Sequence, residues 1–309
     1  MAFSYELKAQ QDVQFTQYIF DGLALNPGYA GYKEVTNAHL LYRDQWTGLD
    51  GSPKTITATV DGVTENKQVG LGFQVIDDKL GAESNLSAFA SYAYRVQVGQ
   101  DARLSFGLAA GLIQYNVDGT KLSLLNPDAN FSNIKANVIN PDLNFGLFYA
   151  SNHYFWGLSV TNLLSNLQYN SSTYLYLYRV RHYYAQAGAI FDLGENISIK
   201  PSILLKEDFK GPTNVDINLF LLLGRQFWIG GSYRTGVKMF SGSNLESNLS
   251  GTDAVSGIVE FDIDQHLRLG YSYDFTTSHL SSVSGGTHEV SLSYRFSKKS
   301  SLMLTPRNL

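Results

Sequence analysis

The chain has 309 residues, no cysteine and a formal net charge of -4, with 16% charged residues, 20 Tyr, 18 Phe and 28 Gly. The missing cysteine excludes a disulfide framework, a cysteine-ligated metal and a thiol nucleophile, and the sparse charge, spread without blocks, gives neither a nucleic-acid surface nor an acidic tail. Charged residues fall below the roughly 25% of an average soluble domain, and apolar runs such as Leu219 to Leu223 are far shorter than the roughly 20 residues of a spanning helix.

Residues 1–9, MAFSYELKA, read as the end of an export signal or an unstructured terminus, since a full signal needs a basic segment and about 7 to 15 apolar residues. Residues 10–34 follow and contain FTQYIFDGLALNPGYAGY, Phe15 to Tyr32. This stretch is too aromatic for a solvated tail and too broken by Gly22, Pro27, Gly28 and Gly31 for an ordinary helix.

From Val35 the chain repeats one kind of segment, about ten residues of alternating apolar and polar character ended by turn residues, which is a strand signature. Fourteen such segments lie near 35–43, 54–62, 67–77, 85–97, 102–115, 141–150, 153–161, 181–193, 196–206, 213–223, 226–236, 253–262, 265–275 and 286–296. In His266 to Phe275, Leu267, Leu269, Tyr271, Tyr273 and Phe275 share one face, opposite Arg268, Gly270, Ser272 and Asp274. Connections after the even-numbered segments are short, and those after the odd-numbered segments are expected to be longer throughout. That alternation predicts an all-β, transmembrane up-and-down antiparallel barrel of about 14 strands over 35–296, with tight turns at one end and long loops at the other. A soluble β-sandwich or propeller would alternate too, but it does not explain aromatic residues at the ends of apolar stripes.

In the barrel reading, Lys200, Lys206, Asp216, Arg234, Glu260, Arg268, Asp274, Glu289 and Arg295 face the lumen, where Lys200, Arg234, Arg268, Asp274, Glu289 and Arg295 are candidates for a charge network. Trp156, Phe191, Phe227, Tyr233, Tyr271, Tyr273, Tyr294 and Phe296 are candidates for the interfacial aromatic belts. Gly70, Gly72, Gly107, Gly111, Gly146 and Gly188 fall on the lumen face, where small residues relieve crowding, make room for a plug or line a ligand pathway, and the sequence does not separate these. The six histidines form no metal-ligand spacing, and His288 and Glu289 point to opposite faces. No rim Ser, His and acid stand out as a catalytic set, so neither enzyme activity nor a cofactor is expected.

The connection 162–180, NLLSNLQYNSSTYLYLYRV, is unusually apolar for a loop in water. Its Tyr169, Tyr174, Tyr176 and Tyr178 are candidates either for contact with a partner or for strands extended above the membrane. Residues 297–309 are expected to form a periplasmic tail, with both chain ends on the turn side.

In a barrel, 10–34 either hangs in the periplasm or folds into the mouth. Leaving Phe15, Tyr18, Phe20, Tyr29 and Tyr32 in water forgoes about 1.5 to 3 kcal/mol each, so a lumen plug is favoured. Asn26-Pro27-Gly28 would then be its tight turn, with Gly28 free to take a positive φ.

The stretches QQDVQFTQYIFDGLALNPGYAG, LYRDQWTGLDGSPKT, YFWGLSVTNLL, IKPSILLK, GPTNVDIN, FWIGGSYRTG, LRLGYSYDF and GTHEVSLSYRF together resemble the PorP/SprF family of Bacteroidota outer-membrane proteins. The family's NPAYAG stands here as Asn26 to Gly31 with Gly28 in third place, and its FNPLA as Phe20 to Ala24. The resemblance implies a 14-stranded outer-membrane barrel of the type IX secretion system, linked in many members to gliding motility. It implies as partners, besides outer-membrane lipids, secretion components or a large secreted adhesin's C-terminal domain. The competing expectation is a diffusion channel with an N-terminal hatch.

Overall fold

The computed structural model describes residues 13–121, 135–165, 180–239, 252–277 and 284–296. Among these, β1 (Asn37–Asp44), β2 (Lys54–Val63), β3 (Val69–Leu80), β4 (Glu83–Gln97) and β5 (Arg103–Asp118) form a continuous antiparallel meander. It continues through β6 (Lys135–Ala150), β7 (Tyr154–Thr161), β8 (His182–Ala189), β9 (Phe191–Asp192) and β10 (Ile197–Glu207). β11 (Thr213–Leu223), β12 (Phe227–Val237), β13 (Thr252–Asp262), β14 (Leu267–Thr276) and β15 (Thr287–Arg295) complete it. β15 pairs back onto β1, Arg295 opposite Asn37, so no edge is left open. Closure matters because hydrocarbon offers no partner to an unpaired backbone group.

The fifteenth strand is a consequence of one proline. β8 and β9 both pair with β10 in a single register, Gly188 opposite Ser202 and Phe191 opposite Ile199. Between them Ala189 faces Pro201, which has no N–H to give to the ladder. The wall therefore has fourteen positions, one of them interrupted.

Side chains alternate by period two as the pleat requires. On β11, Ile217, Leu219, Leu221 and Leu223 are exposed on the outer face while Asp216, Asn218, Phe220 and Leu222 are buried. Exposed aromatic residues gather in two bands, Tyr42, Tyr183, Phe209, Tyr233, Tyr271 and Phe275 towards one end, Tyr94, Trp156, Phe191, Phe261, Tyr294 and Phe296 towards the other. These are the girdles of a membrane barrel.

At one end, here the turn end, the connections are 64–68, 98–102, 151–153, 193–196, 224–226 and 263–266. In the last, the Asp264 carboxylate accepts the N–H groups of His266 and Leu267 at 2.6 and 2.8 Å, which holds its pKa below the usual carboxylate value. At the opposite, loop end the connections are longer with two exceptions: 208–212, between β10 and β11, is no longer than 64–68 or 98–102, and the β3–β4 link is shorter still. β3 and β4 are joined by Gly81 and Ala82 alone, with Gly81 at φ +56°. The expected long connection is absent there because the strands themselves extend: β3 to β6 run to 12, 15, 16 and 16 residues.

Candidate functional site

The interior of the barrel is occupied by the chain's own residues 13–34. Three single turns of 3-10 helix, η1 (Gln17–Ile19), η2 (Gly22–Ala24) and η3 (Pro27–Tyr29), carry this segment. Local chemistry sets each turn. Asp21 caps η2 by accepting from Leu23 N, and Asn26 caps η3, its Oδ1 accepting from Gly28 N at 2.8 Å with Pro27 at the first helical position. Those are the residue types that satisfy the free N–H groups of a helix start. Gly28 does not take the positive φ expected of it; Gly31 does, at +73°. Gly28 is small for a different reason, since a Cβ there would lie 3.0–3.1 Å from Asn26 Oδ1, the Gly146 carbonyl and Phe148 N.

The wall is cut to fit this backbone. A Cβ on Gly70 would lie 1.9 Å from the Ala30 carbonyl oxygen, on Gly107 2.1 Å from Gly28 N, on Gly146 2.0 Å from Asn26 Oδ1, and on Gly72 3.0 Å from Leu23. Gly111 and Gly188 instead make room for Phe89 and Phe155 of the wall itself. Asn26 Nδ2 donates to the carbonyls of Leu147 and Leu158 at 2.9 and 3.3 Å, and Ser159 Oγ donates to the Leu25 carbonyl at 2.6 Å. Gly31 N donates to Asp61 Oδ2, and Thr59 donates to Asp21.

Nearer the loop end the contacts become ionic. Thr16 N and Gln17 N donate to the two oxygens of Glu289 at 2.8 and 2.9 Å, and Thr16 Oγ1 donates to Asp274. Arg43 joins both carboxylates, and all three side chains are buried. Arg234 donates from Nη1 to Gln14 Oε1, from Nη2 to the Phe15 carbonyl, and from Nε to Asp216, which Lys206 also contacts at 2.8 Å. Towards the turn end Arg268 pairs with Glu260 and Asp262, and Arg295 pairs with Asp262. The expected lumen charges thus divide into three groups at different places. Lys200 stands apart from them: its Nζ lies 5.5, 5.7 and 5.9 Å from the ring centres of Phe20, Phe155 and Trp228, a cation–π arrangement.

Arg43 and Asp262 belong to these networks but were not singled out from sequence. Arg43 was legible, because it alternates with Leu40 and Tyr42 in LLYRD. Lys33, donating to the Phe20 carbonyl at 2.8 Å, was not, since it lies in irregular backbone. His182 is buried with Nδ1 3.0 Å from the Val180 carbonyl, while Glu289 is buried and His288 meets Tyr271 Oη on the outer side. Tyr169, Tyr174, Tyr176 and Tyr178 lie outside the described residues.

Apolar packing fills the remaining interior. Phe15, Tyr18 and Leu25 join Leu41, Tyr184 and Leu204; Phe20 joins Phe220, Leu222, Trp228, Ile190 and Ile258; Leu23, Tyr29 and Tyr32 join Phe148 and Phe155. Phe20 meets Phe220 edge-on at 5.2 Å, and Tyr29 meets Phe148 at 5.3 Å.

A cavity of about 500 Å³ opens at the loop end above this segment. Val13 and Gln14 line it together with Arg43, Trp46, Thr55, Asn85, His182, Arg234 and Asp274. Its rim is tied where Thr47 and Gly285–Gly286 exchange backbone hydrogen bonds at 2.7 and 2.9 Å. The first described residue therefore lies at the loop end and the last, Phe296, bonded to the Thr36 carbonyl, at the turn end. The sequence reading put both chain ends on the turn side; the ends proper, 1–12 and 297–309, lie outside the described residues.

A family model described as type IX secretion system membrane protein PorP/SprF matches residues 7–294. No curated protein matches the chain. Among solved structures, a Pseudomonas aeruginosa FadL homologue is 10% identical with a TM-score of 0.50, over 89% of this chain and 94% of its own. The Acinetobacter baumannii outer membrane protein Omp33 is 11% identical with a TM-score of 0.46, over 84% and 96%. Likeness at such identities speaks to the fold alone.

Proposed function

The chain belongs to the PorP/SprF family of type IX secretion system membrane proteins, and from that premise we propose that it is a closed outer-membrane scaffold. It holds a secretion component or a secreted surface adhesin at its loop end and performs no chemistry of its own. One observation carries this reading: below the loop-end cavity the lumen is occupied by residues 13–34, bonded to the wall through Asn26, Gly31, Thr16 and Gln17. A solute pathway needs that space; a docking platform does not. In this reading residues 15–32 are the stopper, and the long loops and the cavity between them are the surface offered outward. The role in gliding motility and adhesin attachment rests on what the family resemblance implies.

The test is isolation of the protein from native membranes of the producing bacterium. Copurification of a secretion component, or of the terminal domain of a secreted protein, is the expected outcome. Recovery of neither would sink the scaffold reading, and steady ion current from the purified full chain in a planar bilayer would favour a diffusion channel instead.

A further inference from the structure

A buried polar atom that the chain itself does not satisfy carries a cost in free energy and calls for an explanation. Among the described residues two carboxylate oxygens are buried with no hydrogen-bond partner, Asp216 Oδ2 and Asp142 Oδ2. The first is answered by the Lys206 ammonium at 2.8 Å. The second is answered by no group of the described chain: Asp142, on β6, is 1% exposed and makes no ion pair there. The guanidinium placed nearest in the backbone, that of Arg181, gives its Nε–H to the Leu163 carbonyl at 3.3 Å instead.

The carboxylate is fixed by its other oxygen. Asp142 Oδ1 accepts the N–H groups of Leu143 and Leu164 at 2.7 and 3.0 Å. The residues that follow β7 are laid against β6 by the same pattern: Asn162 N donates to Asn144 Oδ1, Leu163 N to the Leu143 carbonyl and Ser165 N to the Asn162 carbonyl, each at 3.1 Å. Residues 162–165 are therefore folded over Asp142. Two more orphans belong to this wrap, Thr161 Oγ1 at the end of β7 and Ser165 Oγ in the turn, both on side chains more than nine-tenths buried and both without a hydrogen-bond partner. A hydroxyl close to a bare carboxylate oxygen would ordinarily donate to it, and neither does. What the three oxygens lack in common is a positive charge between them.

We propose that Asp142, Thr161 and Ser165 form a calcium site at the loop end of the wall. Carboxylate and hydroxyl oxygens are hard donors, which suit calcium better than a transition metal. The corner borders the loop-end cavity through Asn162 and Val180, so the ion has a way in and water to complete its six to eight oxygens. One carboxylate places the affinity in the weak class of extracellular modules, about 10⁻⁴ to 10⁻³ M. No group of three or more His, Asp or Glu among the described residues offers a rival site. Bound calcium pins residues 162–165, the root of the 162–180 connection, onto β6, whatever that connection contacts.

The test is equilibrium dialysis of the full-length purified protein, stripped with a chelator, against radioactive calcium from the micromolar to the millimolar range. Saturation near one ion per chain is expected. Asp142→Asn keeps the size of the side chain and the Oδ1 acceptor and removes only the charge; it should weaken binding roughly tenfold or more, the scale on which changes within a metal site act. Ser165→Ala and Thr161→Val should each weaken it several-fold. Asp50→Asn, which alters an exposed aspartate of the β1–β2 connection, should bind as the parent does. The gel shift of the folded barrel shows that each variant is assembled, and if Asp142→Asn does not assemble, the two hydroxyl variants decide by the same criterion. No saturable calcium in the parent, or calcium held with parental affinity by the Asp142 variant or by both hydroxyl variants, overturns the site and leaves a water molecule as the partner of Asp142 Oδ2.

Discussion

At the scale of single residues the most constrained positions carry no side chain at all. Replacing Gly107 with Ala places a methyl group 2.1 Å from Gly28 N, and replacing Gly146 places one 2.0 Å from Asn26 Oδ1. Backbone sits on both sides of the first contact, so the clash cannot be relieved by a rotamer change, and a cost at or above the 1–3 kcal/mol typical of overpacking is expected. Gly257, around which a Cβ would meet nothing within 4 Å, is the control. Heating purified variants and following the gel shift between folded and unfolded barrel should give a markedly lower midpoint for Gly107→Ala and an unchanged one for Gly257→Ala. Arg43 makes a second case, because Arg43→Met leaves Asp274 and Glu289 buried beside each other without their shared cation. Breaking a buried pair this way costs about 3–5 kcal/mol; a midpoint within a degree of the parent would show that water enters and compensates. The lumen face of these glycines was readable from the period-two pattern, but what they face was not. Nothing in the spacing of Gly107 and Gly146 says that a segment some eighty to one hundred and twenty residues earlier lies against them.

At the scale of elements, strand number and faces were legible because the pleat imposes a strict period, and every lumen charge named from sequence is buried or partly buried inside the barrel. Strand ends were less so. The third segment is read as 67–77 from sequence, yet β3 continues through Asp78 and Lys79 to Leu80. Those polar residues belong to a strand that has left the membrane, where the outer face no longer needs to be apolar. Tight closure of β3 on β4 then depends on Gly81, whose φ of +56° costs an L-residue about 1–2 kcal/mol. Gly81→Val should lower the same unfolding midpoint modestly and leave insertion into membranes intact; an unchanged midpoint would mean that the hairpin relaxes into another turn. The extra strand was invisible in the alternation, since Pro201 breaks the ladder of its neighbour and not the pattern of its own segment.

At the scale of the whole molecule, the threading of residues 13–34 from the loop end to the start of β1 relates the two mouths of the barrel. Because the segment crosses the interior, residue 14 and residue 67 belong to opposite ends: Gln14 lines the loop-end cavity, while Lys67 lies in the β2–β3 turn and pairs with Glu34. In a chain without native cysteine, Gln14→Cys and Lys67→Cys each carry a single label site. With the loops outside the cell, a membrane-impermeant maleimide applied to intact cells should modify the first and spare the second, and the reverse result would invert the barrel. The same geometry separates a stopper from a mere lining. Removing residues 13–30 uncovers Phe148, Phe155, Phe220 and Trp228 on the lumen face, which should lower the yield of folded barrel, and the barrels that do assemble should conduct. Assembled deletion barrels that remain silent in a bilayer would leave the segment as packing alone, because inward side chains would then close the lumen without it.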